Sequence, residues 1–357
     1  MAFRSWSLSA CRQPVIPYAH SFLVCVGLKM KIWVVRVQSL RRAAILLVLL
    51  LGINGVKAHS QSLNEVHIAS PTRSVAASRS GLRPVSVDVD LVLVPAVVTD
   101  SLNRPVTSLR KQDFTLFEGD SQQDIKYFNQ EDEPISVGIL LDTSGSMKKK
   151  YELARQALKE FFNNSNRDDD YFVVTFSEKP ELLADTTQSI DQIEGELANV
   201  VPHGSTPLLD AIYLGLTKLK HSRYERRALL IISDGGDNDS RYHAKEIREM
   251  VQESEVQIYA IGVFPPFDIA IEDMQGRKLL SQITEATGGR AAFLSSPEKL
   301  PEVATAFSRE LRSEYVLGYR PSQMKLDGKL HRITVKVTSA VARPVQVYYK
   351  RQYVASR

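Results

Sequence analysis

Hydrophobic periodicity divides the chain into a β-rich start, an alternating middle and a β-rich end. Between residues 135 and 312, short apolar runs such as "ISVGILLD" and "RALLIISD" alternate with segments of helical spacing such as "YELARQALKEFF". Continuous apolar runs of this length indicate strands that are buried on both faces, and their alternation with helices is typical of a parallel sheet. The middle of the chain is therefore predicted to be a doubly wound α/β domain.

The segments on either side of this domain are rich in strand patterns. "VSVDVDLVLVPAVVTD" and two short strands around the "EGD" turn precede it, and "EYVLGYRP", "HRITVKVTS" and "PVQVYYKRQY" follow it. A flank of this size is too small to bury a core of its own. We predict that residues 85–132 and 313–357 pair into one sandwich-like β unit, which is split by the α/β domain at 133–312.

Charge is distributed unevenly along the chain. The formal net charge is +4, but eight Lys or Arg residues and no Asp or Glu lie within residues 1–58. The rest of the chain has more acidic than basic residues, and it contains no basic stripe interleaved with aromatic residues. The composition therefore argues against nucleic-acid binding.

The basic start has the layout of a secretory signal peptide. "RR" precedes the uncharged run "AAILLVLLLGI", and "VKA" ends at Ala58, where small residues favour cleavage. We expect an exported protein, periplasmic or extracellular, with Met30 as the true start and residues 59–84 as a flexible leader. A membrane span needs about 20 apolar residues, so membrane attachment is expected only if the signal remains uncleaved.

Three polar clusters stand where the predicted strands end or the helices begin. "DTSGS" follows the first strand of the α/β domain, "HGST" opens a helix, and "SDGG" follows "RALLII". Ligands of open α/β sheets bind beyond the carboxyl ends of the strands, so we expect these clusters to lie together. Their candidate metal ligands are Asp142, Ser144, Ser146, Thr206 and Asp234.

The donor chemistry of this set favours a hard divalent cation. All five side chains offer oxygen, which suits Mg²⁺, Mn²⁺ or Ca²⁺ rather than zinc, and no cysteine follows Cys25. Only two of the five are carboxylates, and Mg²⁺ takes about six ligands. At least one coordination position would stay open, and a carboxylate from another molecule is its natural ligand.

The same residues also have simpler structural interpretations. Asp, Ser and Gly can cap a turn without any metal, and Thr206 could be the N-cap of the helix that begins near Pro207. "DGGDND" resembles a calcium loop, but the sixth and twelfth positions lack the usual Gly and Glu. A second site through Asp237 and Asp239 therefore remains a minor alternative.

Two further features near the clusters have more than one interpretation. His203 is expected to be a loop residue, because imidazole suits softer metals. The three lysines at 148–150 are interpreted as a solvated helix start. Alternatively, they could steer an acidic partner toward the nearby metal.

The ordered pattern of DxSxS at 142–146, Thr206 in "GST" and Asp234 in "SDG" resembles the metal-ion-dependent adhesion site of von Willebrand factor type A domains. The likeness covers roughly residues 135–312, and the flanks resemble a bacterial, exported branch of that family. The resemblance implies a Rossmann-like fold with a mostly parallel sheet. It also implies metal-dependent capture of a protein partner through an Asp or Glu side chain.

The resemblance further implies that the last helix of the domain, about 297–312, can slide when the site gains an acidic ligand. Such movement needs two packings of similar free energy. A static helix that only joins the two parts of the chain needs no second packing, and this is the expected alternative.

Three functions compete, and a non-enzymatic binding module is the leading one. The enzymatic alternative is a Mg²⁺-dependent phosphohydrolase with Asp142 as nucleophile. Against it, Ser144 stands where a haloacid-dehalogenase-like pattern has a second Asp, and the chain has neither a Gly-rich P-loop nor G-x-S-x-G. The third is a scaffold in which the metal serves stability alone.

Overall fold

The computed structural model describes residues 91–234, 236–264, 271–321, 329–338 and 344–354. The predicted signal peptide, the leader and the first residues of the predicted β unit lie outside this part of the chain.

The described residues form strands and helices that are numbered here in chain order. The strands are β1 (Val92–Asp100), β2 (Phe114–Glu118), β3 (Ser121–Gln123), β4 (Ile125–Glu131), β5 (Ser136–Asp142), β6 (Asp170–Phe176), β7 (Pro180–Thr187), β8 (Arg227–Ser233), β9 (Gln257–Val263), β10 (Ala291–Leu294), β11 (Glu314–Tyr319), β12 (Leu330–Val337), β13 (Val345–Tyr349) and β14 (Gln352–Val354). The helices are α1 (Tyr151–Asn163), α2 (Ile190–Ala198), α3 (Leu208–Leu219), α4 (Ala244–Glu253), α5 (Ile271–Thr287) and α6 (Leu300–Leu311).

The central sheet has six strands in the order β10-β9-β8-β5-β6-β7. All neighbours are parallel except β7, which pairs antiparallel with β6 at the edge. The predicted α/β class with a mostly parallel sheet is confirmed. Strand β7 was not predicted, because Ala184 is its single buried residue and the apolar pattern is correspondingly weak.

Helices cover both faces of this sheet. Apolar residues of α1, α2 and α6 share one core with one face, and those of α3, α4 and α5 share a second core with the other. Every residue of β5 is buried, as the continuous apolar run predicts for a strand covered on both sides. Within the described part of the chain, no helix is long and apolar enough to cross a membrane.

The strand order reverses between β5 and β8. From β5 the chain proceeds to β6 on one side, and from β8 it proceeds to β9 on the other. The loops that leave the carboxyl ends of β5 and β8 therefore diverge and open a crevice, which is the usual ligand position in such sheets.

The two flanks of the α/β domain combine into a β unit of two antiparallel sheets, ordered β13-β1-β11-β4 and β14-β12-β2-β3. Val94 and Tyr315 from the first sheet share a core with Leu116 and Val335 from the second. The predicted flanking β unit is confirmed in this respect. The strands on either side of the "EGD" turn are β2 and β3, and the predicted second strand continues after β3 as a separate strand, β4, in the other sheet.

The α/β domain enters and leaves the β unit at neighbouring points, because Glu131 of β4 faces Glu314 of β11 in the antiparallel ladder. The Arg226 guanidinium donates to the Glu133 carbonyl at 2.7 Å, to the Leu311 carbonyl at 2.8 Å and to the Glu314 carboxylate at 3.0 Å. One partly buried side chain thus contacts both connections between the two parts.

Candidate metal centre

The buried strand β5 ends in Asp142, whose side chain lies inside the domain. Its Oδ1 accepts a hydrogen bond from the Ser144 backbone N–H at 2.9 Å, and its Oδ2 accepts one from the Ser233 hydroxyl at 2.5 Å. Burial raises the pKa of Asp142 to about 6, the negative charge of Asp234 acts in the same direction, and the hydrogen bonds from the two serines oppose it. A cation at this point would relieve that unfavourable charge.

From Ser144, whose backbone N–H bonds to Asp142, two hydroxyl groups continue the connection to the neighbouring strand end. The Ser144 and Ser146 hydroxyls lie 3.0 Å apart, and the Ser146 hydroxyl donates to Asp234 Oδ1 at 2.7 Å. Asp234 follows β8 directly, so the loops after β5 and β8 meet through these side chains. Four of the five predicted residues are therefore brought together at the crevice.

Thr206, the fifth predicted residue, is buried between the same loops. Its N–H donates to Asn238 Oδ1 at 2.7 Å, while the Gly145 N–H donates to the Gly204 carbonyl at 3.1 Å. Among the described residues, no hydrogen bond joins Thr206 to the other four candidates; the Gly145–Gly204 bond joins its loop to the loop after β5. The N-cap of α3 is Pro207, so Thr206 is not the helix cap that the simpler interpretation proposed.

The acidic residues of the "DGGDND" segment have structural partners. Asp237 Oδ1 accepts from the Leu209 N–H at 3.1 Å and from the Ser240 hydroxyl, and Asp239 accepts from the Ser205 hydroxyl at 2.6 Å. These carboxylates tie the segment to the start of α3. Within the described residues, no group of three or more His, Cys, Asp or Glu side chains is arranged to hold a metal ion.

Lys150 is part of the site, which the sequence analysis did not predict. Its ammonium group forms a hydrogen-bonded ion pair with Asp234 Oδ2, whereas Lys148 and Lys149 are exposed. The interpretation of all three lysines as a solvated helix start is thus wrong for Lys150. A signal was available, since Ser146 and Lys150 are four residues apart and side chains at this spacing meet on one side of a helical turn.

Ser233, whose hydroxyl donates to Asp142, is a second residue of the site that was not predicted. Ser233 closes the apolar run of β8 and was included in that strand without a role, although it directly precedes Asp234. His203 is a loop residue, as predicted. Its ring nitrogen Nδ1 lies 2.9 Å from the Val201 carbonyl oxygen, and its backbone N–H donates to the Thr143 carbonyl at 2.8 Å. His203 therefore holds the loop in place.

The residues present fit a hard divalent cation. Two carboxylates lie close enough for one to raise the pKa of the other, and hydroxyl oxygens stand between them. Oxygen donors of this kind are those that Mg²⁺, Mn²⁺ and Ca²⁺ prefer. Gly145 and Ser146 are exposed while Asp142 and Ser144 are buried, so the site opens to solvent on the side of Ser146.

Several known proteins are similar to parts of this chain. An uncharacterised protein of Borreliella burgdorferi is 22% identical over 178 residues, which is 43% of this chain and 52% of that protein. The chain therefore matches about half the length of this curated relative.

Solved structures are similar at low identity. A von Willebrand factor type A protein from Catenulispora acidiphila is 13% identical with a TM-score of 0.43, over 67% of this chain and 75% of that chain. The conserved hypothetical protein BatB from Bacteroides thetaiotaomicron is 17% identical with a TM-score of 0.40, over 50% of this chain and 100% of that chain. The PilB minor pilin from Streptococcus sanguinis is 14% identical with a TM-score of 0.41, over 52% of this chain and 62% of that chain.

One family model matches a segment of the α/β domain. Residues 137–236 match the family model described as von Willebrand factor type A domain. The matched segment runs from β5 to the loop after β8 and includes all five candidate metal ligands. Over these residues, the α/β domain is thus similar to von Willebrand factor type A domains.

Proposed function

We propose that the α/β domain binds a protein partner through a divalent cation. Von Willebrand factor type A domains are generally protein-interaction modules, and the residues of the site support dependence on a bound metal ion in this one. The observation that carries it is the hydrogen-bonded chain from Asp142 through Ser144 and Ser146 to Asp234, which gathers two carboxylates and two hydroxyls at the crevice.

Each side chain has a defined task in this proposal. Asp142 supplies a buried carboxylate, which the Ser144 N–H and the Ser233 hydroxyl hold in orientation. Ser146 and Asp234 would supply a hydroxyl and the second carboxylate, and Thr206, from the loop before α3, would supply a further hydroxyl. A bound Mg²⁺, Mn²⁺ or Ca²⁺ would supply concentrated positive charge with an open position. An Asp or Glu side chain of the partner would fill that position.

The burial of Asp142 favours binding over phosphoryl transfer. A nucleophilic carboxylate needs open access to the phosphorus atom, but Asp142 has no exposed surface and both of its oxygens accept hydrogen bonds. The phosphohydrolase alternative would require the loop after β5 to open. Hydrolysis of generic phosphate esters that disappears with Asp142→Asn would favour this alternative.

Metal-dependent capture tests the proposal directly. The immobilised protein is incubated with matched protein extracts in Mg²⁺ or in EDTA. We expect at least one protein to be retained in Mg²⁺, released by EDTA and not retained by Asp142→Asn. Asp191→Asn makes the same chemical change on the exposed surface of α2 and is expected to behave as wild type. A cation that stabilises the fold while identical proteins are retained in Mg²⁺ and EDTA would favour the scaffold alternative.

We propose export for the chain on the basis of its sequence. "RRAAILLVLLLGI" followed by "VKA" supports cleavage after Ala58 and a periplasmic or extracellular location. Terminal sequencing of the exported protein is expected to give His59 as the first residue. Exported protein that retains the basic segment through Arg42 would contradict this assignment.

A further inference from the structure

We infer that Lys150 is a built-in cation of the candidate metal centre, which a divalent ion must displace before it binds. This inference rests on the proposed function, because it concerns the same site. It adds a residue that sets the affinity and charge selectivity of the centre.

The geometry places the ammonium group on a metal-ligand oxygen. The Asp234 side chain is fully buried; its Oδ1 accepts from the Ser146 hydroxyl and its Oδ2 from Lys150. Both donors come from the turn that connects β5 with α1. A divalent ion bound to Asp234 would compete with the Lys150 ammonium for the same carboxylate, because ionised donors form the strongest hydrogen bonds to such a group.

The charges of the site explain why Lys150 takes this position. A buried carboxylate is strongly unfavourable unless it is paired, and Asp142 and Asp234 repel each other across the crevice. Lys150 supplies one positive charge against these two carboxylates. A divalent ion would supply two, whereas exchange for a monovalent ion would bring no electrostatic gain. The resident ammonium therefore selects divalent over monovalent cations and lowers the affinity for both.

Displacement would also change the surface around the site. The Lys150 side chain is 24% exposed and stands on a flexible four-carbon stem, so the released ammonium can turn toward solvent. There it would join the exposed Lys148 and Lys149 at the edge of the crevice. Metal loading would then add a positive charge where an acidic partner arrives, which accelerates association with such a partner.

Substitution of single lysines tests the inference. Lys150→Met removes the ammonium but keeps an unbranched stem, and Lys149→Met makes the same change at an exposed neighbour. Mg²⁺ and Mn²⁺ affinities are measured by calorimetric titration, and the midpoint of thermal unfolding is measured in EDTA. We expect Lys150→Met to bind divalent ions about tenfold more tightly, since a lost charged hydrogen bond is worth at least this factor. Its metal-free form should unfold at a lower temperature, and Lys149→Met should change neither quantity.

The outcomes separate this inference from the proposed function. If Lys150→Met equals Lys149→Met, or binds metal more weakly than wild type, Lys150 is not a competing cation, although metal binding itself stands. If wild type binds no divalent ion but Lys150→Met does, the inference holds and the proposed function fails, because the ammonium then replaces the metal permanently. If no variant binds a divalent ion while all of them fold, both are overturned.

Discussion

Asp142→Asn is expected to weaken divalent-cation binding by at least about 100-fold and, in EDTA, to stabilise the protein. The substitution removes one of two carboxylates from the site, and a neutral amide is a much poorer ligand for Mg²⁺. It keeps the shape of the side chain: the amide oxygen can accept from the Ser144 N–H, and the amide nitrogen can donate to the Ser233 hydroxyl. The buried charge disappears while its hydrogen bonds remain.

The gain in stability depends on pH. The pKa of Asp142 is raised from 3.8 to about 6, so the folded wild type binds more protons than the unfolded chain between these values. Wild type therefore loses stability as the pH rises through this window, and the asparagine variant does not. The advantage of the variant is absent below about pH 4, complete above about pH 6 and at most about 3 kcal/mol.

Calorimetric metal titration and urea denaturation in EDTA at pH 4 and pH 7.5 measure the two effects. Asp191→Asn on the exposed face of α2 is the control and should alter neither quantity. Unchanged Mg²⁺ or Mn²⁺ affinity in Asp142→Asn would show that the site assignment is wrong. A variant that is less stable than wild type at pH 7.5 would show that the Asp142 charge is well compensated in the metal-free fold.

Arg226→Met is expected to lower the free energy of unfolding by about 3 kcal/mol. It takes the guanidinium away from the buried Glu314 carboxylate and from the Glu133 and Leu311 carbonyls. Removal of one partner of a buried ion pair typically costs about 3–5 kcal/mol. The hydrogen bond from Gln257 to Glu314 remains, which places the expected loss at the lower end.

Arg312→Met provides a matched control at the same junction. Arg312 pairs with Asp132 through two hydrogen bonds, but the two side chains are 39% and 50% exposed. Exposed pairs contribute at most about 1 kcal/mol. Urea denaturation measures the free energy of unfolding of both variants. Equal losses of this free energy would mean that Arg226 does not hold the two parts together.

The sequence predicted those features that depend on burial along a single element. Strands β5 and β8 were evident because they are apolar throughout, and the site was evident because polar residues follow such strands directly. The convergence of strand ends in a parallel sheet then brings distant loops together. Local pattern and general topology were sufficient for these predictions.

The missed features depend on contacts between distant residues. Lys150 looks solvated within its run of lysines, and only the position of Asp234 in the fold reveals the ion pair. Arg226 likewise precedes an ordinary strand, and its role appears only when Glu133 and Leu311 are brought together. Amphipathic patterning cannot report such pairs, because it records which face is buried and not which partner is there.

The split β unit has a consequence for the order in which the chain can fold. Strands β1 and β4 both pair with β11, so neither has this partner until the whole α/β domain has been synthesised. Contacts this far apart in sequence are slow to form in an open chain. Once the α/β domain has folded, however, it brings its two ends to the adjacent positions Glu131 and Glu314. The folded α/β domain therefore lowers the loss of chain entropy that pairing β4 with β11 would otherwise require.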